Sequence, residues 1–201
     1  MITSIEQLDF SKKYTYADYV LWQFKERIEL LKGYLFPMSA PNVTHQRISG
    51  ALYLKLGNFL WQRPCDVFAA PFDVRLPLSK AKRTPDKIDT VVQPDLCVVC
   101  DKNKLDKQGC IGAPDLVVEI LSPGNSKREM RDKFKLYETA GVLEYWIVDP
   151  ERKTVAVYHL NEITQKFTAQ LPLLMDDDVL DCQLFPGLSI ELSEVFPEEL
   201  N

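Results

Sequence analysis

Two short apolar runs constrain this chain more than anything else in it. They are Leu96-Cys97-Val98-Val99, entered through Gln93-Pro94-Asp95, and Leu116-Val117-Val118-Glu119-Ile120-Leu121, entered through Asp115. Each reads as a buried strand. Each also carries an acid, Asp95 or Glu119, and an ionised carboxylate in such company is costly unless it is paired or holds a metal. In the second run side chains two apart share a face, so Asp115, Val117, Glu119 and Leu121 point one way and Leu116, Val118 and Ile120 the other. A lone buried carboxylate raises its pKa and turns neutral, whereas a divalent cation keeps it ionised. A metal would account for an acid in both strands.

Helical and extended patterns alternate around these runs. Val20, Phe24, Ile28 and Leu31 have helical spacing and predict a helix over 16–32, although 28–36 also reads as a hairpin turning at Lys32-Gly33. Asn42 or Thr44 caps a second helix, with Ile48, Leu52, Leu56, Phe59 and Leu60 on its apolar face. Extended segments are expected over 67–69 and 72–76, a polar and basic loop over 79–90, a single central strand over 91–100 and a loop over 101–113. After Pro123-Gly124-Asn125, the run Ser126-Lys127-Arg128-Glu129 has the form of a capping box, opening a helix that Gly141 ends. Strands over 144–149, 154–160 and 167–174 follow. This order predicts an α/β (α+β) fold, a sheet flanked by helices. With 201 residues, 46% of them hydrophobic and 26% charged, the chain has globular composition and is expected to form one domain spanning 1–201.

Several classes of protein are disfavoured. No stretch approaches the roughly 18 consecutive apolar residues of a membrane helix, and the N-terminus lacks a basic segment followed by an apolar one. A cytoplasmic protein with no membrane partner is expected. The five cysteines, Cys65, Cys97, Cys100, Cys110 and Cys182, show no framework spacing and are expected as reduced thiols. Cys97 and Cys100 do not suit zinc, because an odd offset in a strand sends them to opposite faces and no second ligand pair is in view. The net charge of −5 does not itself suggest a nucleic-acid binder, so local clusters matter more. Lys80, Lys82 and Arg83 form one cluster, and Lys127, Arg128, Arg131, Lys133 and Lys135 form another; the plain reading of both is a solvated surface.

Lys133 stands apart from its neighbours. Met130, Phe134 and Tyr137 define the apolar face of the helix after Glu119, and Lys133 lies three residues from the first and four from the last. It therefore looks inward while Lys135 faces water. Either it snorkels along the edge of an amphipathic helix or it serves a site.

The ordered set Glu29-Leu30-Leu31-Lys32-Gly33, Met38-Ser39 to His45, Gln93-Pro94-Asp95, Gly112 to Pro123, Lys133 to Tyr137 and Gly141 to Pro150 resembles the Uma-two family of putative restriction endonucleases. The resemblance spans about Glu29 to Pro150. It implies a branch of the PD-(D/E)xK nuclease superfamily, with a restriction-endonuclease-like mixed central sheet flanked by helices. Asp95 then matches the acid of the Pro-Asp motif and Glu119 the acid of the (Asp/Glu)-x-Lys motif. Leu121 stands where the superfamily lysine falls, and Lys133, on the next helix, is the matching position. Glu29 matches an acid near the first helix, and His45 a polar position after the Met-Ser segment.

The resemblance implies metal-assisted hydrolysis of a DNA phosphodiester. Asp95, Glu119 and the main-chain carbonyl of Ile120 would bind Mg²⁺ or Mn²⁺, and Lys133 would orient water or stabilise charge on phosphate. Glu29 would hold a second ion or a water. His45 either assists at phosphate or makes a structural hydrogen bond, and Gln93 would orient water. Asp115 either supports the site, the favoured reading, or satisfies backbone groups; Ser122 is either a supporting hydrogen-bond donor or a turn residue. A homodimer able to cut both strands is expected by the same resemblance. Two other readings stay open: a catalytically degraded nuclease fold that binds DNA or protein, and a protein interface over 144–148, whose adjacent aromatics in a short strand beside a helix are more often core.

Overall fold

A computed structural model describes residues 2–78, 84, 86–122 and 127–196, with backbone alone for 127–129. The expected Lys80, Lys82 and Arg83 cluster, the Pro123-Gly124-Asn125 turn and the capping box at Ser126 lie outside the described residues.

Two sheets share one interior. Among the described residues, the larger sheet runs β12 (Lys166–Ala169), β11 (Thr154–Asn161), β10 (Glu144–Asp149), β9 (Leu116–Ile120), β6 (Leu96–Val99) and β3 (Asp66–Ala69), with β13 (Leu174–Met175) on β11. The other runs β2 (Tyr34–Pro37), β1 (Ile28–Leu31), β5 (Val91–Val92), β4 (Val74–Arg75), β8 (Gly109–Ile111) and β7 (Leu105–Asp106). A small hairpin joins β14 (Val179–Asp181) to β15 (Ser189–Glu191). Pairing is mixed: β9 and β10 are parallel, joined through helix α3 (Lys127–Ala140), whereas β6 and β9 are antiparallel. The result is the mixed α+β architecture expected from the sequence.

The period-2 alternation of β6 and β9 decides what each face meets. Leu96, Val98, Leu116, Val118 and Ile120 join Ile48, Leu52, Leu56 and Leu60 of helix α2 (Val43–Leu60) in one core. Cys97, Val99 and Val117 join Leu136 and Tyr137 of α3, together with Val74, Val92 and Cys110 of the second sheet. The side chain of Asn42 starts α2 by accepting a hydrogen bond from the His45 amide at 2.8 Å. Gly141 ends α3 at φ 89°, its amide donating to the Tyr137 carbonyl at 3.1 Å.

Several expectations need correction. The helix over 16–32 shrinks to α1 (Tyr16–Tyr19), and the hairpin alternative forms: Ile28 pairs with Pro37 and Leu31 with Tyr34 around Lys32 and Gly33, both at positive φ. The single strand over 91–100 splits at Gln93-Pro94-Asp95, so that β5 and β6 lie in different sheets. Pro94 lacks the donor that an uninterrupted central strand would need. The loop over 101–113 contains the β7–β8 hairpin. The aromatics at 144–148 take the favoured core reading: Tyr145 and Trp146 are buried, and the Trp146 indole donates to Glu144 Oε1 at 2.7 Å. Cys65 and Cys100 form a disulfide where reduced thiols were expected: Asp66 pairs with Val99, and the next pair outward brings the two cysteines together. Cys97, Cys110 and Cys182 are free and buried.

Gly109 has a steric requirement. At φ 131°, a Cβ built on it would come 2.2 Å from the Asp73 carbonyl oxygen. Gly109→Ala is expected to cost about 1–3 kcal/mol, read as a lower urea midpoint. An unchanged midpoint would contradict this packing.

Candidate functional site

β6 and β9 bring the two acids together. Leu96 pairs with Val118 in antiparallel register, so the next position outward sets Asp95 across from Glu119, both on the α3 side of the sheet. Asp95 stands just beyond the end of β6. Its carbonyl accepts from the Ala70 amide at 3.1 Å, and its Oδ2 accepts from the Ile120 amide at 2.8 Å.

Lys133 enters from α3, on the buried face that its spacing indicated. Its Nζ lies 3.0 Å from Glu29 Oε2 and 3.1 Å from Glu119 Oε1. Glu29 comes from β1 in the other sheet and also accepts the Gln93 amide at 2.8 Å. The Tyr137 hydroxyl donates to Glu119 Oε1 at 2.6 Å. One ammonium thus holds carboxylates from two sheets.

Burial is the main influence on Glu119. It pushes the carboxyl up, Lys133 pulls it down, and the charges of Asp95 and Glu29 push it up again, for a net rise to about 7. Burial opposes the charge of Lys133, but Glu119 and Glu29 outweigh it, so the ammonium is held more firmly than usual. These shifts fit together: the proton stays on the amine, which Glu119 and Glu29 share. At His45, whose Nε2 lies 3.2 Å from Asp95 Oδ2, burial pulls the imidazole down, while Asp95, the nearby Ile120 carbonyl and Glu119 raise it overall.

A pH dependence follows. An unfolded Glu119 would titrate near the ordinary glutamate value of 4.5 and the folded one at about 7, so the fold takes up a proton between these values. Glu119→Gln, which imitates the protonated form, should gain in Tm relative to the metal-free wild type as the pH rises across that window. A gap that moves the other way would contradict this environment.

The groups surround a cleft of about 270 Å³ whose lining includes Arg27, Ser39, His45, Asp95, Glu119, Ile120, Ser122 and Lys133. Of the residues singled out in the sequence, Glu29 and Gln93 stand behind this surface. Asp115 is not brought to it. Asp115 Oδ2 accepts the Cys100 amide at 2.7 Å, four residues along the strand from Glu119 and about 13 Å away. That is the backbone-satisfying reading. Sequence reasoning missed Arg27 and Tyr137, although Arg27 sits two residues before Glu29 in an extended segment and Tyr137 one helical turn after Lys133.

The donor set suits a hard divalent ion. Asp95, Glu119 and a main-chain carbonyl offer oxygen only, and like charges facing one another across a strand pair are unfavourable without a cation. No group of three or more His, Cys, Asp or Glu side chains arranged for a metal occurs among the described residues. Two carboxylates are the usual protein contribution to Mg²⁺, which keeps several waters.

The fold has a counterpart among solved structures. A crystal structure described as a putative nuclease belonging to DUF820 from Anabaena variabilis superposes with a TM-score of 0.69, at 19% identity, over 91% of this chain and 97% of that one. At that identity the likeness is one of fold. The chain belongs to the Uma2 family, described as putative restriction endonuclease, which it matches over residues 16–193. Two uncharacterised Synechocystis proteins are relatives: slr1290 is 25% identical over 72% of this chain and 73% of its own length, and sll1609 is 25% identical over 63% and 68%. No helix among the described residues is long and apolar enough to cross a membrane.

Proposed function

We propose that the chain, as one domain, is a metal-dependent endonuclease of the PD-(D/E)xK type that hydrolyses DNA phosphodiester bonds. The observation that carries this reading is the placement of Asp95 opposite Glu119, at the lip of a cleft into which Lys133 is also built. When bound by Asp95, Glu119 and the Ile120 carbonyl, Mg²⁺ or Mn²⁺ would supply Lewis acidity and lower the pKa of water at the phosphate.

The chain's own residues do the rest. Asp95 and Glu119 fix the ion's place because each is anchored, one by the Ile120 amide and the other by Lys133 and Tyr137. Glu29 positions Lys133, and Gln93 in turn holds Glu29 through its amide. Lys133 stabilises charge that builds on the phosphate. His45 holds Asp95 and is placed to exchange a proton at Nε2. Ser122 lines the cleft beside Ile120. Two copies acting together would cut both strands of a duplex.

Supercoiled plasmid incubated with Mg²⁺, with Mn²⁺ and with EDTA tests the proposal. Nicked or linear product that depends on the ion supports it. DNA retained on the protein but uncut in every condition would instead indicate a degraded nuclease fold acting as a binding module.

A further inference from the structure

Among the described residues, the buried side-chain nitrogen or oxygen atoms without a hydrogen-bond partner are Arg27 Nη2 and His45 Nδ1, and both residues line the cleft. Unsatisfied buried polar atoms are rare because each loses its hydration without replacement. Two on one cleft point to something that the cleft takes up.

The more telling of the two is Arg27, because its guanidinium is anchored at Nε. Its Nε donates to Gln93 Oε1 at 2.8 Å. The Gln93 amide nitrogen donates to Asp73 Oδ1 at 2.8 Å and reaches the Tyr19 hydroxyl at 3.2 Å. No ion pair ties Arg27 to a carboxylate among the described residues, whereas the other cation of the cleft, Lys133, is already engaged by Glu29 and Glu119. A planar fork with a fixed orientation and a spare donor suits the oxygens of a phosphate.

We infer that Arg27 is the phosphate contact of the cleft, gripping a DNA phosphodiester through its unpartnered Nη2. The inference rests on the nuclease reading for its substrate and goes beyond it by dividing the labour of the two cations. Lys133, fixed by the acids, is kept for charge that builds on the reacting phosphate, and Arg27, with its spare donor, holds the substrate in the cleft. Arg27 directly precedes β1, where its carbonyl accepts from the Met38 amide at 2.9 Å and carries the hairpin one step further, and it lies two residues from Glu29, so one is directed to the substrate and the other to the lysine.

Anisotropy of a fluorescein-labelled duplex tests it, in EDTA so that no strand is cut, over a range of salt, with wild type, Arg27→Ala, Arg27→Gln and Arg27→Lys. Both neutral variants should bind about 10- to 100-fold more weakly and lose about one unit from the slope of log Kd against log salt. Arg27→Lys should keep the slope and recover part of the affinity. A structural role alone would lower Tm without changing the slope, and Arg27→Gln, which keeps much of the length, guards against a misfolded alanine variant. Wild-type affinity and slope in a folded Arg27→Gln would overturn the inference, as would a wild type that does not bind the duplex. Arg27-dependent binding without cleavage in Mg²⁺ or Mn²⁺ would leave Arg27 as the phosphate contact and remove the hydrolase reading instead.

Discussion

Glu119→Gln and Asp95→Ala are each expected to lower metal-dependent DNA cleavage by about 10³-fold or more while leaving the protein folded. The loss is large because each substitution removes one of two anionic ligands, and the neighbouring acid, Glu29, is tied to Lys133 and Gln93 and forms no metal-holding group with them among the described residues. Glu119→Gln keeps the shape of the side chain and can still accept from Tyr137, so its folded state should survive. Asp95→Ala also removes the acceptor for the Ile120 amide at 2.8 Å, and should cost about 1–3 kcal/mol in stability as well. Rates with plasmid DNA and melting curves on the same preparations check both points. Cleavage within a few fold of wild type in either variant would remove that acid from the site.

Lys133→Met is expected to have the largest effect on stability, a loss of about 3–5 kcal/mol. The side chain of Lys133 is 8% exposed, that of Glu29 1% and that of Glu119 13%, so removing the amine leaves two carboxylates facing each other with little water. The arrangement should then recover when one acid is neutralised. Lys133→Met with Glu29→Gln is expected to be more stable than Lys133→Met alone, and urea denaturation of the four members of this cycle measures the coupling. A loss under about 1 kcal/mol for Lys133→Met would show that the pair behaves as a surface ion pair, contrary to its burial.

The geometry legible in the sequence was the part governed by regular periods. The two-residue repeat of a strand put Glu119 on the face of Val117, and the helical repeat put Lys133 among Met130, Phe134 and Tyr137. Both lie on those faces, and the two faces meet. What could not be read depended on register or chain reversal. The break at Pro94, which sends β5 and β6 to different sheets, was hidden because the apolar pattern continues through it. The disulfide between Cys65 and Cys100 follows from the pairing of β3 with β6, which no local spacing encodes. Asp115 shares a face with Glu119, but four residues of extended chain carry it too far away to join the same cleft. Arg27 was overlooked because its partner chain runs through Gln93, Asp73 and Tyr19, three distant segments joined only in the fold.

Crystals soaked in Mn²⁺ and measured at its absorption edge test the central claim most directly. The account predicts an anomalous peak between the Asp95 and Glu119 carboxylates, within about 2–2.5 Å of an oxygen from each and close to the Ile120 carbonyl, with the Lys133 amine alongside. A fully soaked crystal with no peak there, or with the two carboxylates turned apart and Mn²⁺ bound elsewhere, would contradict it.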